Sequence, residues 1–190
     1  MQAIIDACSR GVLDAEVRVV ISNNADSLAL ERARDQRIPV AHLSNRTHPD
    51  PEALDAAIAR TLAHHGVDLV LLAGYMRKVG PITMARFPQR ILNIHPALLP
   101  KFGGEGMYGR RVHEAVLASG DQTTGVTIHL IDEEYDRGPV VAQKEVPVLP
   151  GDTVETLAER VLEEEHKLYV ETLVRVAEGD LDLNALVRLT

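Results

Sequence analysis

The segment Ile91-Leu92-Asn93-Ile94-His95-Pro96 holds the pairing of side chains best suited to chemistry. In a strand, residues two apart share a face, so Asn93 and His95 project together while Leu92 and Ile94 enter the opposite layer. A carboxamide beside a titratable imidazole suits acyl transfer: the amide stabilises an oxyanion, and the imidazolium donates a second hydrogen bond or a proton. No nucleophilic side chain is then required. Pro96 cannot donate to a ladder, so pairing should stop there, leaving the pair at the carboxyl end of the strand, where open α/β sheets bind ligands. An isolated Asn-x-His more often only satisfies a strand end and caps a turn, so the neighbouring segments decide its weight.

A second segment, Gly125 to Pro139, reads as a strand with Thr127 and His129 on one face, then an acidic loop closed by Gly138-Pro139. Asp132, Glu133, Glu134 and Asp136 together have a bland reading as a solvated turn, and His129 reads as a strand-face histidine. The sharper reading selects Asp136: a carboxylate placed beside His95 favours the imidazolium and should raise its pKa.

A third segment, Leu72 to Pro81, leaves an apolar run through Gly74, and Met76 could form an adaptable apolar wall in a ligand-contacting loop. Its plain alternative is a strand-to-helix connection. Gly104-x-Gly106-x-x-Gly109 has the form of a dinucleotide fingerprint but follows Pro96, Pro100 and Lys101 rather than a strand, so it reads as a flexible loop. The eight histidines lack H-x-x-x-H or cysteine-based ligand spacing, so no metal site is expected. His64-His65 fits a helix end, where imidazolium complements the dipole.

The elements that must position these residues follow from periodicity. Strands are expected at Val17 to Ile21, Ile38 to Leu43, Val67 to Ala73, Ile91 to His95, Val126 to Ile131 and Val140 to Val148. Helices are expected at Ala25 to Gln36, Pro51 to His65, Arg111 to Ser119 and Thr153 to Glu178, followed by a short polar tail. Alternation of the two predicts an α/β fold, a doubly wound and mostly parallel sheet in three layers. Val67 to Ala73 is almost continuously apolar and should lie mid-sheet. No repeat or linker is visible, so one domain over 1–190 is expected. Met1 to Cys8 places its apolar residues on one helical face, with no strand before it.

Composition narrows the partners. With 28 acidic and 20 basic residues the net charge is −8, and aromatics are 3%. A nucleic-acid surface needs a basic stripe and usually stacking rings, so small-molecule substrates are expected instead. Cys8 is the single cysteine, which excludes an intramolecular disulfide and favours a reducing, cytoplasmic setting. No apolar run reaches the roughly 18 residues of a membrane span.

Taken together, Leu72-Ala73-Gly74-Tyr75-Met76-Arg77, Asn93-Ile94-His95-Pro96-Ala97-Leu98-Leu99-Pro100 and Asp136-x-Gly138-Pro139 resemble, in order and spacing, the phosphoribosylglycinamide formyltransferases, folate-dependent enzymes of purine biosynthesis. The resemblance covers essentially the whole chain. It implies transfer of a formyl group from 10-formyltetrahydrofolate, a co-substrate rather than a bound cofactor, to the amine of 5-phosphoribosylglycinamide. It implies that Asn93 and His95 stabilise the tetrahedral intermediate and that Asp136 holds His95. Met76, Arg77, Lys78 and Val79 match the folate-contacting turn, and Asn93 is implied as a further folate contact. Ile131, Asp132 and Glu133 match the pterin-side wall, and Pro96 and Glu165 match ribonucleotide contacts.

One difference accompanies the match. Members of the family begin with a strand and a Gly-Ser-Asn turn that grips the substrate phosphate, whereas this sequence starts inside the following helix. The first strand and phosphate loop are therefore expected to be missing, through a chain definition that starts at a downstream methionine. The alternatives are a formyltetrahydrofolate hydrolase using water as acceptor and a non-catalytic folate-binding remnant. A methionyl-tRNA formyltransferase would add a nucleic-acid-binding domain, and none is visible. A structural scaffold would bind no folate. Oligomeric state is not legible.

Overall fold

The computed structural model describes residues 1–187. The chain divides into two compact units, one of Met1–Val70 with Arg77–Ile91, the other of Leu71–Met76 with the residues from Leu92 onward.

In the first unit, α1 (Gln2–Ser9) buries Ile4, Ile5 and Ala7, the apolar face expected of its spacing. Strands β1 (Val20–Ser22) and β2 (Val40–His42) pair in parallel, with Ile21 opposite Ala41. Between them α2 (Leu28–Asp35) starts at Ser27, whose hydroxyl accepts from the Leu30 N–H, and buries Leu30 and Ala33. Helix α3 (Pro51–His64) is capped by the Asp50 carboxylate, with Pro51 at the first position, where its missing N–H costs nothing. Helix α4 (Pro81–Arg86) has no side-chain cap of its own, since Gly80 precedes it. The buried Asp55 carboxylate of α3 takes that role, accepting from Ile82 N at 2.7 Å, Thr83 N at 3.1 Å and the Thr83 hydroxyl at 2.5 Å. Any side chain at position 80 would collide with it, its Cβ falling 2.2 Å from the carboxylate.

The second unit is built on four strands in the order β3-β4-β5-β6: β3 (Val70–Leu72), which enters this unit at Leu71, β4 (Ile91–His95), β5 (Thr123–Leu130) and β6 (Val140–Pro147). Strands β4, β5 and β6 run antiparallel. β5 is the interior strand, buried at every residue after Thr123. Helix α5 (Arg110–Ser119) ends at Gly120 in the left-handed conformation. Helix α6 (Val154–Ala177) opens on a reciprocal Thr153–Thr156 capping box and packs on β5, β6 and α5; α7 (Leu183–Val187) follows. Leu92, Val126, Ile128, Leu130, Val146, Leu157 and Val161 form the core, each removed almost wholly from water. Each contributes roughly 1.5–3 kcal/mol of burial. The Tyr169 hydroxyl of α6 donates toward the carbonyls of Leu92 (3.2 Å) and Leu72 (3.3 Å).

Every expected strand and long helix is present, with ends shifted by a few residues. Two short helices, α4 and α7, are additions; six and five residues are too few to display a helical period. β3 is a correction: among the described residues it ends the strand order rather than lying mid-sheet, and its residues are half-buried. A continuous apolar run reports cover on the faces of a strand and says nothing of which edges are paired.

Candidate active site

β4 carries Asn93 and His95 to the end of the strand, and pairing stops at His95, immediately before Pro96. Because β5 runs antiparallel to β4, Asn93 lies opposite His129 and His95 opposite Thr127. Directly opposed residues share a face, so four polar side chains form two adjacent rows on this part of the sheet. Asn93 Nδ2 lies 3.1 Å from His129 Nε2. The other ring nitrogen of His129, Nδ1, donates to the Leu130 carbonyl at 2.9 Å. A neutral ring with its proton on Nδ1 accepts from the Asn93 amide at Nε2, whereas a charged ring donates from Nε2 toward Asp136.

Asp136 reaches the same place from the loop after β5. Its Oδ2 lies 3.6 Å from His95 Nδ1 and its Oδ1 3.5 Å from His129 Nε2, and Oδ2 also accepts from the Gly104 N–H at 2.9 Å. The loop is drawn in by Gly138, where a Cβ would fall 1.9 Å from the Leu130 carbonyl, and by a Leu130 N–H to Pro139 carbonyl bond. Asp136 itself adopts φ +57°, a left-handed backbone that costs a non-glycine residue energy and recurs at functional sites. His95 Nε2 donates to the Phe102 carbonyl at 2.8 Å, and Phe102 also has positive φ, +56°.

The electrostatics revise one expectation. Asp136 does stand beside His95 and favours its charge, as does the Phe102 carbonyl, but the ring is only 3% exposed. Burial outweighs both and, with repulsion from His129, holds the His95 pKa below its usual value rather than above it. Burial also works against the Asp136 charge. There the His129 ring, His95 and the Gly104 N–H prevail, keeping the carboxyl below the ordinary range. His113 of α5 is pushed down by burial and by the charge of His95.

The remaining candidates are placed as follows. Met76, largely exposed, belongs to the unit that holds the cluster, and a Cβ on Gly109 would lie 3.6 Å from its methyl group. Arg77, Lys78 and Val79 belong to the other unit, where the Arg77 guanidinium donates to Asn45 Oδ1 at 3.1 Å. Ile131 is half-buried, and Asp132 and Glu133 are exposed; the Asp132 carboxylate accepts from the Glu134 N–H. Pro96 is half-buried beside His95. Glu165 is half-buried on α6, where burial pushes its carboxyl up to about 7. His129, read from sequence as an ordinary strand residue, is a central member of the cluster, as are the backbone groups of Phe102 and Gly104. The alternation of Thr127 with His129 was the available signal; an antiparallel pairing to Asn93 and His95 gives it meaning.

An amide, two imidazoles and a half-buried carboxylate stand together, with no serine, cysteine or lysine among them, a set suited to hydrogen bonding and proton transfer rather than to nucleophilic attack. Residues 1–173 match the Formyl transferase family. Phosphoribosylglycinamide formyltransferase of Arabidopsis thaliana, a chloroplastic protein, is 46% identical over 176 residues, 92% of this chain and 60% of its own length. The Escherichia coli protein of the same name is 37% identical over 184 residues, 97% of this chain and 84% of its own. The crystal structure of glycinamide ribonucleotide transformylase 1 from Symbiobacterium toebii superposes with a TM-score of 0.87 at 46% identity, covering 94% of this chain and 82% of that one. The chain belongs to the formyl transferase family, in the group of the phosphoribosylglycinamide formyltransferases. It spans about 60% of the chloroplastic relative's length. Among the described residues no helix is long and apolar enough to cross a membrane, and no group of three or more His, Cys, Asp or Glu is arranged to hold a metal ion.

Proposed function

We propose that this protein transfers the formyl group of 10-formyltetrahydrofolate to the amine of 5-phosphoribosylglycinamide, in the cytoplasm, with residues 1–190 acting as one formyltransferase domain. The observation that carries the reading is the convergence of Asn93, His95 and Asp136 at the end of β4 without a protein nucleophile.

The substrate amine attacks the formyl carbon, the bond from that carbon to the folate nitrogen breaks, and one amine proton passes to the departing nitrogen. Asn93 gives one N–H to His129, which leaves its second for the developing oxyanion. His95, its Nε2 engaged by Phe102, rests neutral near pH 7 and takes a proton at Nδ1 as the amine loses it. Asp136, 3.6 Å away, stabilises the imidazolium while it exists, and water relays the proton onward. Folate contacts are assigned, by the sequence resemblance, to Met76, Arg77, Lys78, Val79, Asn93, Ile131, Asp132 and Glu133. Pro96 and Glu165 are assigned to the ribonucleotide by the sequence resemblance.

The test is turnover of the purified protein with 10-formyltetrahydrofolate, read by mass spectrometry of the ribonucleotide. A mass gain of one formyl group is expected, with Asn93→Ala lowering kcat by on the order of 10² to 10³. Formate release independent of the ribonucleotide would make the protein a hydrolase, and folate binding without turnover would make it a non-catalytic folate binder.

A further inference from the structure

Beside the row of Asn93 and His129 lies a second one: His95 is opposite Thr127 on β5, and Thr127 is opposite Gln143 on β6. The Thr127 hydroxyl is wholly buried and uses its full hydrogen-bonding capacity. It donates to the Ala97 carbonyl at 2.7 Å and accepts from the Leu99 N–H at 3.0 Å and from Gln143 Nε2 at 2.9 Å. The same Gln143 nitrogen donates to the Leu99 carbonyl at 2.9 Å. Three backbone atoms of the Ala97–Leu99 turn are thus gripped by two side chains. Packing reinforces the grip. Leu98 occupies the space a side chain at Gly125 would need, 2.3 Å from its Cβ position, and Leu99 does the same at Gly103, at 2.4 Å.

This turn runs directly from His95 to Phe102, whose carbonyl accepts from the His95 ring. We propose that Thr127 and Gln143 form a clamp that orients His95, acting as positioning residues by fixing the turn that presents the Phe102 carbonyl. The inference deepens the formyl-transfer reading above and, for its catalytic meaning, rests on it.

Gln143 is suited to the test because the residue is exposed, so its loss leaves the core intact. Gln143→Met keeps the length and removes both N–H donors. NMR titration of the His95 ring in the full chain should show its pKa falling, because the Phe102 carbonyl then supports the protonated ring less well. A role confined to stability would lower the melting temperature without moving that titration. In the formyl-transfer assay kcat should drop about 10- to 100-fold, the loss expected for a misplaced catalytic group, with both KM values within about twofold. Thr127→Ser, which retains the hydroxyl, should behave as the wild type. An unchanged His95 titration in Gln143→Met overturns the clamp. A shifted titration in a protein whose wild type transfers no formyl group leaves the clamp standing and removes the reading of function.

Discussion

At position 95 two demands conflict. Excluding water from the ring strengthens every interaction it makes with a reacting group, and the same exclusion penalises its charge. In this protein exclusion prevails, and the pKa of His95 lies below its usual value despite Asp136. A ring that is neutral at rest can accept a proton and return it within one turnover, which a permanently charged ring cannot do. The activity should therefore fall on the acid side, as pH drops through a value below 6.5 and His95 becomes protonated. Asp136→Asn removes the largest influence favouring the charge, so kcat should fall by about 10² to 10⁴ and the acid limb should move further down. A kcat profile from pH 5 to 9 on both proteins checks this; an acid limb at the same pH in each would detach Asp136 from His95. The grouping of Asn93 and His95 on one face was readable from their two-residue spacing. The direction of the His95 shift was not, because a sequence displays the neighbouring carboxylate but not the depth of burial.

At the scale of elements, two antiparallel registers and one closed loop assemble the cluster. Asn93, His95, Thr127 and His129 were each visible in alternating strands. Their grouping depends on β4 and β5 running antiparallel, which a reading built on parallel crossovers does not supply. The loop carrying Asp136 depends on a close approach rather than on an unusual backbone at Gly138, where the Leu130 carbonyl occupies the place of a side chain. Gly138→Ala must reopen that turn, and Asp136 lies two residues away. A loss of about 1–3 kcal/mol in urea unfolding is expected, the range for forced overpacking. kcat should fall with it, even at temperatures where the variant is fully folded. Full activity in a folded Gly138→Ala protein would show that Asp136 is positioned independently of the closure. Asp136 stood out among four nearby carboxylates because it adjoins the Gly-Pro signal. The structure adds the asymmetry, with Asp132, Glu133 and Glu134 turned to solvent and Asp136 turned in.

For the whole molecule, buried titratable groups make stability depend on pH, and here two of them act in opposite senses. Glu165 has its pKa raised from 4.5 to about 7, so the folded state holds more protons than the unfolded one between those values. Its contribution is fully present below pH 4.5 and is lost as pH rises through about 7. His95, with a lowered pKa, adds stability as pH rises toward 6.5. Glu165→Gln removes only the first effect. Its stability advantage over the wild type should grow from near zero at pH 4.5 to about 3 kcal/mol at pH 8, as followed by chemical denaturation. A difference that is the same at both pH values would place the cause elsewhere. The α/β alternation and the long helix α6 were legible because long elements display their period. The place of β3 in the strand order was not, since pairing partners leave no mark on the apolar run itself.

The hydroxyl of Tyr169, set against the carbonyls of Leu72 and Leu92, lies one helical turn beyond Glu165 on the same face of α6. At 1.5 Å per residue the two positions are about 6 Å apart along the axis. The hydroxyl is one of several polar tethers on this 24-residue helix, beside the Lys144–Glu164 ion pair and the Arg160 bond to the Pro147 carbonyl, and it is the one that reaches β3 and β4. The height of Glu165 along the helix axis is thereby tied to the strand that bears the Asn-His pair, so a shift of one would carry the other with it.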